Sequence, residues 1–573
     1  MLDVNNLSIA FRTASGMRPT VNNMSFSVAR GEILGLVGES GSGKTLMSLG
    51  VMGLLPENAL VTDGEVLVGG QNILALDPVS LRKLRGRRIS MIFQDPMASL
   101  DPVFTCGAQL VEAILLHEKI GRKKAAQRAV ALLERVLIPD PARAMRAYPH
   151  ELSGGQCQRI MIAMAVACKP DIIIADEPTT ALDVTVQRQV LELLRDLNRE
   201  VGAAILLITH DLGVIYEVAD RVIVMYAGNM METASTREIF ENPQHDYTKA
   251  LIDSMPSLGR GDGRLPVMEH DGKGGVRSVV RAANVHAAPR EPQGSPPGKP
   301  TGLPPLLDIR NLTKTWWLRP SPLAHPEPVH AVNDVSLTIA PKTTLGLVGE
   351  SGCGKSTLSR LVMRLMQADA GAVNFNGRDL VKLKGEELRS VRRDIAMVFQ
   401  NPYSSLNPRQ RVEDLIAAPL VIHSALSSPD RAKRVSRLIE AVNLPQAALK
   451  KYPHEFSGGQ RQRIVIARAL ALNPSLVICD EAVSALDVSV QAQVLNLLQD
   501  LQAEFVLTYL FISHDLSVVE HISDTIAVMK QGRIVETGTT REIFANPQND
   551  YTRSLLSAVP KIGARYDSRK EIA

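Results

Sequence analysis

The sequence predicts an α/β protein of two tandem domains, each with a buried apolar strand that runs into a glycine-rich turn. Three observations predict it. The chain has 573 residues, beyond the size at which one hydrophobic core keeps growing. Its second half repeats its first in fixed register: Ser153-Gly154-Gly155-Gln156 returns as Ser457-Gly458-Gly459-Gln460, and Asp176-Glu177, His210 and Tyr247 return as Asp480-Glu481, His514 and Tyr551, all 304 residues on. Each half also carries an apolar run that passes directly into a glycine-rich turn. The repeat places one domain at 1–256 and the other at 306–573. Nearer the start the shift is 311 for Lys44 and Lys355 and 306 for Gln94 and Gln400, so small insertions are expected in loops.

Composition fits two ordinary cores. Hydrophobic residues make up 45% and charged residues 22%, which excludes a disordered chain. The net charge of +4, from 64 basic and 60 acidic residues, is too balanced for nucleic-acid binding by bulk electrostatics, so an anionic ligand must be held locally. Met1-Leu2-Asp3-Val4-Asn5-Asn6 is not a basic segment followed by an apolar run, so no secretory signal and a cytoplasmic protein are expected. No stretch approaches the ~18 apolar residues of a spanning helix, and membrane attachment would come through a partner. Cys106, Cys157, Cys168, Cys353 and Cys479 lack Cys-x-x-Cys spacing and suit a reducing compartment as small buried residues.

The strands Ile33-Leu34-Gly35-Leu36-Val37 and Thr344-Leu345-Gly346-Leu347-Val348 lead into Gly38-Glu39-Ser40-Gly41-Ser42-Gly43-Lys44-Thr45 and Gly349-Glu350-Ser351-Gly352-Cys353-Gly354-Lys355-Ser356. Both turns fit GxxxxGK[ST]. Glycines let backbone N–H groups wrap phosphates at a helix N-terminus, where the dipole favours negative charge. Lys44 and Lys355 would reach the β- and γ-phosphates, and the Thr45 and Ser356 hydroxyls would ligate Mg²⁺. A second pair of elements, Ile172-Ile173-Ile174-Ala175-Asp176-Glu177 and Leu476-Val477-Ile478-Cys479-Asp480-Glu481, ends apolar strands in acids. Asp176 and Asp480 are placed to bind Mg²⁺ through water. Glu177 and Glu481 are placed to polarise the attacking water.

Between the repeats, 257–305 turns to Gly, Pro and Arg, as in Gly259-Arg260-Gly261-Asp262-Gly263-Arg264. It reads as a flexible tether without the apolar content to fold by itself. A basic nucleic-acid arm is the alternative, but acidic and apolar residues interrupt its charge.

Leu152-Ser153-Gly154-Gly155-Gln156 and Phe456-Ser457-Gly458-Gly459-Gln460 resemble the signature of ABC ATPases, and the resemblance covers nearly all of the chain outside the linker. It implies, for each half, a RecA-like core sheet with an antiparallel β subdomain and a helical subdomain bearing the signature. Gln94 and Gln400 are similar to the family's Q-loop residues, which touch Mg²⁺ and the attacking water and connect to the membrane partner. Thr180-Ala181-Leu182-Asp183 and Ser484-Ala485-Leu486-Asp487 resemble D-loops. His210 and His514 resemble switch histidines on the γ-phosphate; each ends an apolar strand and precedes Asp-Leu, though a lone histidine is otherwise structural. The family sandwiches each nucleotide between one half's phosphate loop and the other's signature, which implies intramolecular pairing of the halves: Lys44 with Ser457 and Gly459, Lys355 with Ser153 and Gly155. Phe11 and Trp316 occupy equivalent places and resemble adenine-stacking aromatics, with a core role as the alternative. The departures, Cys157 against Arg461, Leu46 against Thr357 and Ala482 against Pro178, remove no ligand or acid, so both sites are expected to hydrolyse ATP.

The Q-loop segments from Phe93 to Pro102 and Phe399 to Pro408, and the closing segments from Asn242 to Leu251 and Asn546 to Leu555, are similar to those of bacterial dipeptide, oligopeptide and nickel importers. The fused arrangement is similar to glutathione and microcin-type peptide importers. The resemblance implies an ATP- and Mg²⁺-dependent subunit, peripheral on the cytoplasmic face of the bacterial inner membrane. Its partners would be two integral-membrane permeases and, through them, a periplasmic or extracellular solute-binding protein, with no nucleic acid. Peptides are the favoured cargo, with glutathione, opines, oligosaccharides or nickel open. Several members carry a cysteine cluster beyond the closing segment; none follows Cys168 or Cys479 here, so no iron–sulfur cluster is expected. Met97 and Tyr403, three residues after the Q-loop glutamines, are expected to face a permease helix. A different class, tandem ATPases acting on ribosomes without a membrane partner, is typically joined by a long charged helix rather than a Gly/Pro-rich linker.

Overall fold

The computed structural model describes the chain except residues 180–181, 257–262, 271–275, 281–303, 319–325, 425, 485 and 560–573, and the side chains of His270, Leu318, Glu327 and Tyr403 also lie outside the description. Two compact units emerge, one built on Met1–Asp253 with Met268–Ser278, the other on Ser254–Val267 with Val279–Val559.

In the first unit the strands Ile33–Val37, Ala204–Ile208 and Ile172–Asp176 are buried at every position. Their unbroken apolar runs reflect a parallel sheet covered on both faces. The six-stranded order is Asn229–Ser235, Arg221–Tyr226, Ile33–Val37, Ala204–Ile208, Ile172–Asp176, Ile89–Ile92, parallel except for the first strand. The phosphate-loop strand sits inside the sheet, so the loop and the strand ending in Asp176 leave the same edge. The second unit repeats the order with Ile395–Val398, Leu476–Asp480, Thr508–Ile512, Thr344–Val348, Thr525–Lys530 and Arg533–Thr539.

An antiparallel sheet covers each core, as the resemblance implies. Leu2–Thr13 pairs with Gly16–Val28 and Ala59–Val68, and Leu2, Val4, Leu7 and Ile9 share one core with Leu34, Leu36 and Ile174. Leu307–Leu318 pairs with Glu327–Ile339 and Ala370–Phe375 in the second unit. The helical part comprises Cys106–His117, Arg122–Arg135 and Gly154–Val166, matched by Val412–His423, Ser428–Ala441 and Gly458–Ala469. Arg122–Arg135 buries only Ala125, Ala129 and Leu133, an i, i+4, i+8 stripe with a charged remainder.

The linker differs from the expected free coil where it is described. Val267–His270 and Val276–Val279 pair as a two-stranded sheet, and Leu265 is buried. Within the second unit, Arg264 donates to both carboxylate oxygens of Asp500 at 2.8 and 2.7 Å. The Asn496 amide clamps the Leu265 backbone, accepting from its N–H at 3.1 Å and donating to its C=O at 2.8 Å. The segment lacks the apolar content to fold alone and instead borrows the helix Val488–Phe505. One of the two helix residues that receive it is particular to the second copy: Asn496 stands where Val184–Val201 carries Glu192, whereas Asp500 has the equivalent Asp196. Arg264→Asp should lower the unfolding midpoint of the second unit by the equivalent of about 1–2 kcal/mol, because it leaves Asp500 facing a like charge. Adding Asp500→Arg should restore it; an unmoved midpoint in the single variant would show that the contact stabilises nothing.

Candidate functional site

Each phosphate loop is shaped by a close backbone approach. Gly38 has φ +153°, and a Cβ there would lie 2.0 Å from the Met225 carbonyl oxygen; at Gly349 the corresponding distance to Met529 is 2.1 Å. Only glycine fits. The buried ammonium of Lys44 donates to the carbonyls of Gly38 at 2.7 Å and Glu39 at 2.8 Å, and Lys355 makes the same two bonds to Gly349 and Glu350. The loops thus hold a cation where phosphate oxygens are expected to arrive.

Behind each loop lies a buried carboxylate. Asp176, 1% exposed, has an Oδ1 without a hydrogen-bond partner. Burial, opposed by the Thr45 and Ser48 hydroxyls and Lys44, pushes its carboxyl up to about 6. In the second unit Ser356 Oγ donates to Asp480 Oδ1 at 3.2 Å and Ser359 Oγ to Oδ2 at 3.4 Å, while burial again raises the carboxyl. A desolvated carboxylate with an orphan oxygen beside a hydroxyl is a donor set suited to a hard divalent cation. Ser48 and Ser359, four residues beyond the lysines, escaped the sequence reading; their spacing on one helix face was the signal available.

Glu177 and Glu481 follow at the strand ends with φ of 49° and 51°, a left-handed conformation that costs a glutamate energy and marks functional sites. Each backbone is pinned by its N–H, to Ile208 O at 2.8 Å and Ile512 O at 2.9 Å. Their carboxylates collect the two remaining residues. Gln94 Nε2 donates to Glu177 at 2.9 Å and Gln400 Nε2 to Glu481 at 2.6 Å, while His210 Nδ1 lies 3.2 Å from Glu177 and His514 Nδ1 3.5 Å from Glu481. Burial pushes both imidazoles down, but the hydrogen bonds and charge of the glutamates outweigh it and hold them above the ordinary histidine value. Burial likewise pushes Glu481 up, and His514 with Gln400 more than offsets it, keeping the carboxylate ionised.

The structure therefore brings lysine, hydroxyl, aspartate, glutamate, glutamine and histidine together in each unit. The signatures open separate helices. Ser153 Oγ caps Gly154–Val166 by accepting from Gln156 N–H at 3.3 Å, and Gln156 Oε1 in turn accepts from Ser153 N–H at 3.0 Å; Ser457 and Gln460 do the same at 3.4 and 3.1 Å. The Gly154, Gly155, Gly458 and Gly459 amides are first-turn groups without intrahelical acceptors. Phe11 is partly buried against the first core, whereas Trp316 is 45% exposed with Lys314 Nζ 5.5 Å from its ring centroid. Thr180, Ala181 and Ala485 lie outside the described residues; Asp183 and Asp487 cap the helices that follow. Met97 is 47% exposed. Tyr247 and Tyr551, which the sequence shows as markers of the repeat and parts of the closing segments, prove to touch the phosphate loops.

The family described as ABC transporter matches residues 21–180 and 332–484, and that described as oligopeptide/dipeptide transporter, C-terminal region, matches 231–274 and 535–573. The chain is 47% identical over 574 residues to the glutathione import ATP-binding protein GsiA of Escherichia coli (strain K12), covering 98% of this chain and 89% of that one. It is 45% identical to the protein of the same name from Pectobacterium atrosepticum, over 100% of this chain and 91% of that one. Among solved structures, the ATP-binding cassette MJ0796 bound to ADP and Pi matches at 29% identity and a TM-score of 0.37, covering 41% of this chain and 99% of that one.

Proposed function

The chain belongs to the ABC transporter family as an ATP-binding, ATP-hydrolysing subunit that energises import, and we propose that both its sites hydrolyse ATP and that its cargo is a short peptide such as glutathione. One observation carries the two-site reading: each unit assembles the full set of hydrolytic groups at its strand ends, with the same hydrogen bonds joining glutamine and glutamate. The cargo reading rests on the name of the relatives and on the matched C-terminal region.

In this reading Lys44 and Lys355 exchange loop carbonyls for phosphate oxygens. Thr45, Asp176 and Gln94, and Ser356, Asp480 and Gln400, would hold Mg²⁺, which would neutralise phosphate charge when bound. Glu177 and Glu481 accept a proton from the attacking water, and His210 and His514 orient them. The first-turn amides behind Ser153 and Ser457 would each serve the other half's phosphate loop, suited by the positive end of a helix. Among the described residues no helix is long and apolar enough to cross a membrane. From the import role named for the relatives we place the subunit against two permeases at the cytoplasmic face, fed by a solute-binding protein. Nothing supports the ribosomal alternative.

The test is purification of the intact protein from membranes. Permeases should come with it, and a co-purified binding protein should carry a peptide that competes with labelled glutathione for uptake. Ribosomes in place of permeases would overturn the reading, and a non-peptide solute would overturn the cargo.

A further inference from the structure

We propose that Tyr247 and Tyr551 are positioning residues of the two phosphate loops, each holding one loop peptide in place once the loop lysine leaves it. The observation is a bond made on both sides of a single peptide unit. The Gly38 carbonyl accepts from Lys44 Nζ at 2.7 Å, and the N–H of the same peptide, belonging to Glu39, donates to the Tyr247 hydroxyl at 3.3 Å. The second unit reproduces the pair, with Lys355 Nζ on Gly349 O at 2.7 Å and Glu350 N–H on Tyr551 at 3.1 Å.

The peptide needs such a hold. It follows a glycine with φ of +153° or +150°, and without a Cβ that residue opposes rotation weakly. The lysine supplies one restraint, but it is the group that must move to phosphate. The tyrosine bond does not depend on the lysine and survives its departure.

The tyrosines are themselves fixed. Tyr247 is fully buried with its ring 4.6 Å from that of Tyr226, and Lys530, the residue 304 positions after Tyr226, lies 4.5 Å over the ring of Tyr551. The turns carrying them are clamped from the neighbouring edge strand. Glu232 accepts from Gln244 N–H at 2.8 Å and His245 N–H at 3.0 Å; Glu536 accepts from Gln548 N–H at 2.7 Å and Asn549 N–H at 3.1 Å. The recurring Asn-Pro-Gln-x-Asp-Tyr segment thus acquires a physical purpose, to deliver a hydroxyl to the loop.

The inference rests on the loops being nucleotide sites, and its test separates the two. In the full chain, Tyr247→Phe with Tyr551→Phe removes only the hydroxyls and keeps the rings. ATP turnover is measured against ATP concentration beside the unfolding midpoint. We expect KM for ATP to rise about five- to tenfold, the size of one hydrogen bond's loss, with kcat at saturation within about twofold and the midpoint unmoved. An unchanged KM, or a kcat that falls in step with the midpoint, overturns the proposal. Absence of any ATP turnover in the unsubstituted protein would instead overturn the reading of the loops.

Discussion

Glu177→Gln combined with Glu481→Gln is expected to cut ATP turnover by ~10²–10⁴-fold, the worth of a positioned general base, while nucleotide still binds. Glutamine matches glutamate in shape, and its one amide oxygen can still serve Gln400 and His514, which share a single oxygen of Glu481. Gln94 and His210 use different oxygens of Glu177, so one of those two bonds is lost there, while the backbone pins that hold both left-handed strand ends should persist. What is lost is the proton acceptor, which His514 and Gln400 keep ionised in the second unit. No lysine, hydroxyl or aspartate changes, so labelled ATP should accumulate on the protein unhydrolysed. Each single variant should also cut turnover substantially, since both sites carry the full set of groups. If the double variant kept more than a tenth of the turnover, neither glutamate would be the base.

Gly38→Ala should abolish nucleotide binding at the first loop, and Gly349→Ala at the second. A methyl at either position meets a backbone carbonyl at 2.0 or 2.1 Å, at residues in or at the end of a core strand. Neither side can yield as a flexible side chain would, and overpacking of this kind costs several kcal/mol. The loop must open, and its lysine loses the carbonyl that orients it. Bound nucleotide, counted by equilibrium dialysis, should halve in each single variant and vanish in the double one. Full stoichiometry in Gly38→Ala would mean that the loop tolerates a geometry unlike the one described.

Much of this was legible because parallel strands covered on both faces must be written as unbroken apolar runs, and a phosphate loop must be written in glycines. Ile172–Asp176 and Gly38–Lys44 declare themselves in that way. What stayed hidden depends on partners distant in sequence. Arg264 looks like one more charge in a polar linker until Asp500, 236 residues away, is placed opposite it. Tyr247 reads as a family mark, and nothing in its local spacing says that its hydroxyl meets a backbone amide 208 residues earlier. Gln94 came from resemblance as a metal ligand, and the structure adds that its amide donates to Glu177. Phe11 and Trp316 share a place in the repeat but not an environment, one partly packed into a core and the other exposed, a difference set by neighbouring side chains.

The helix Val488–Phe505 also bears on how a duplicated gene ages. Two copies in one reading frame are liable to recombine and overwrite each other. Here overwriting in one direction is penalised. A chain that inherited the first copy's helix in the second position would replace the clamping Asn496 with Glu192, whose carboxylate cannot donate to the Leu265 carbonyl. Such conversions would be purged, and the two copies would be kept distinct at this face even where their catalytic residues remain alike.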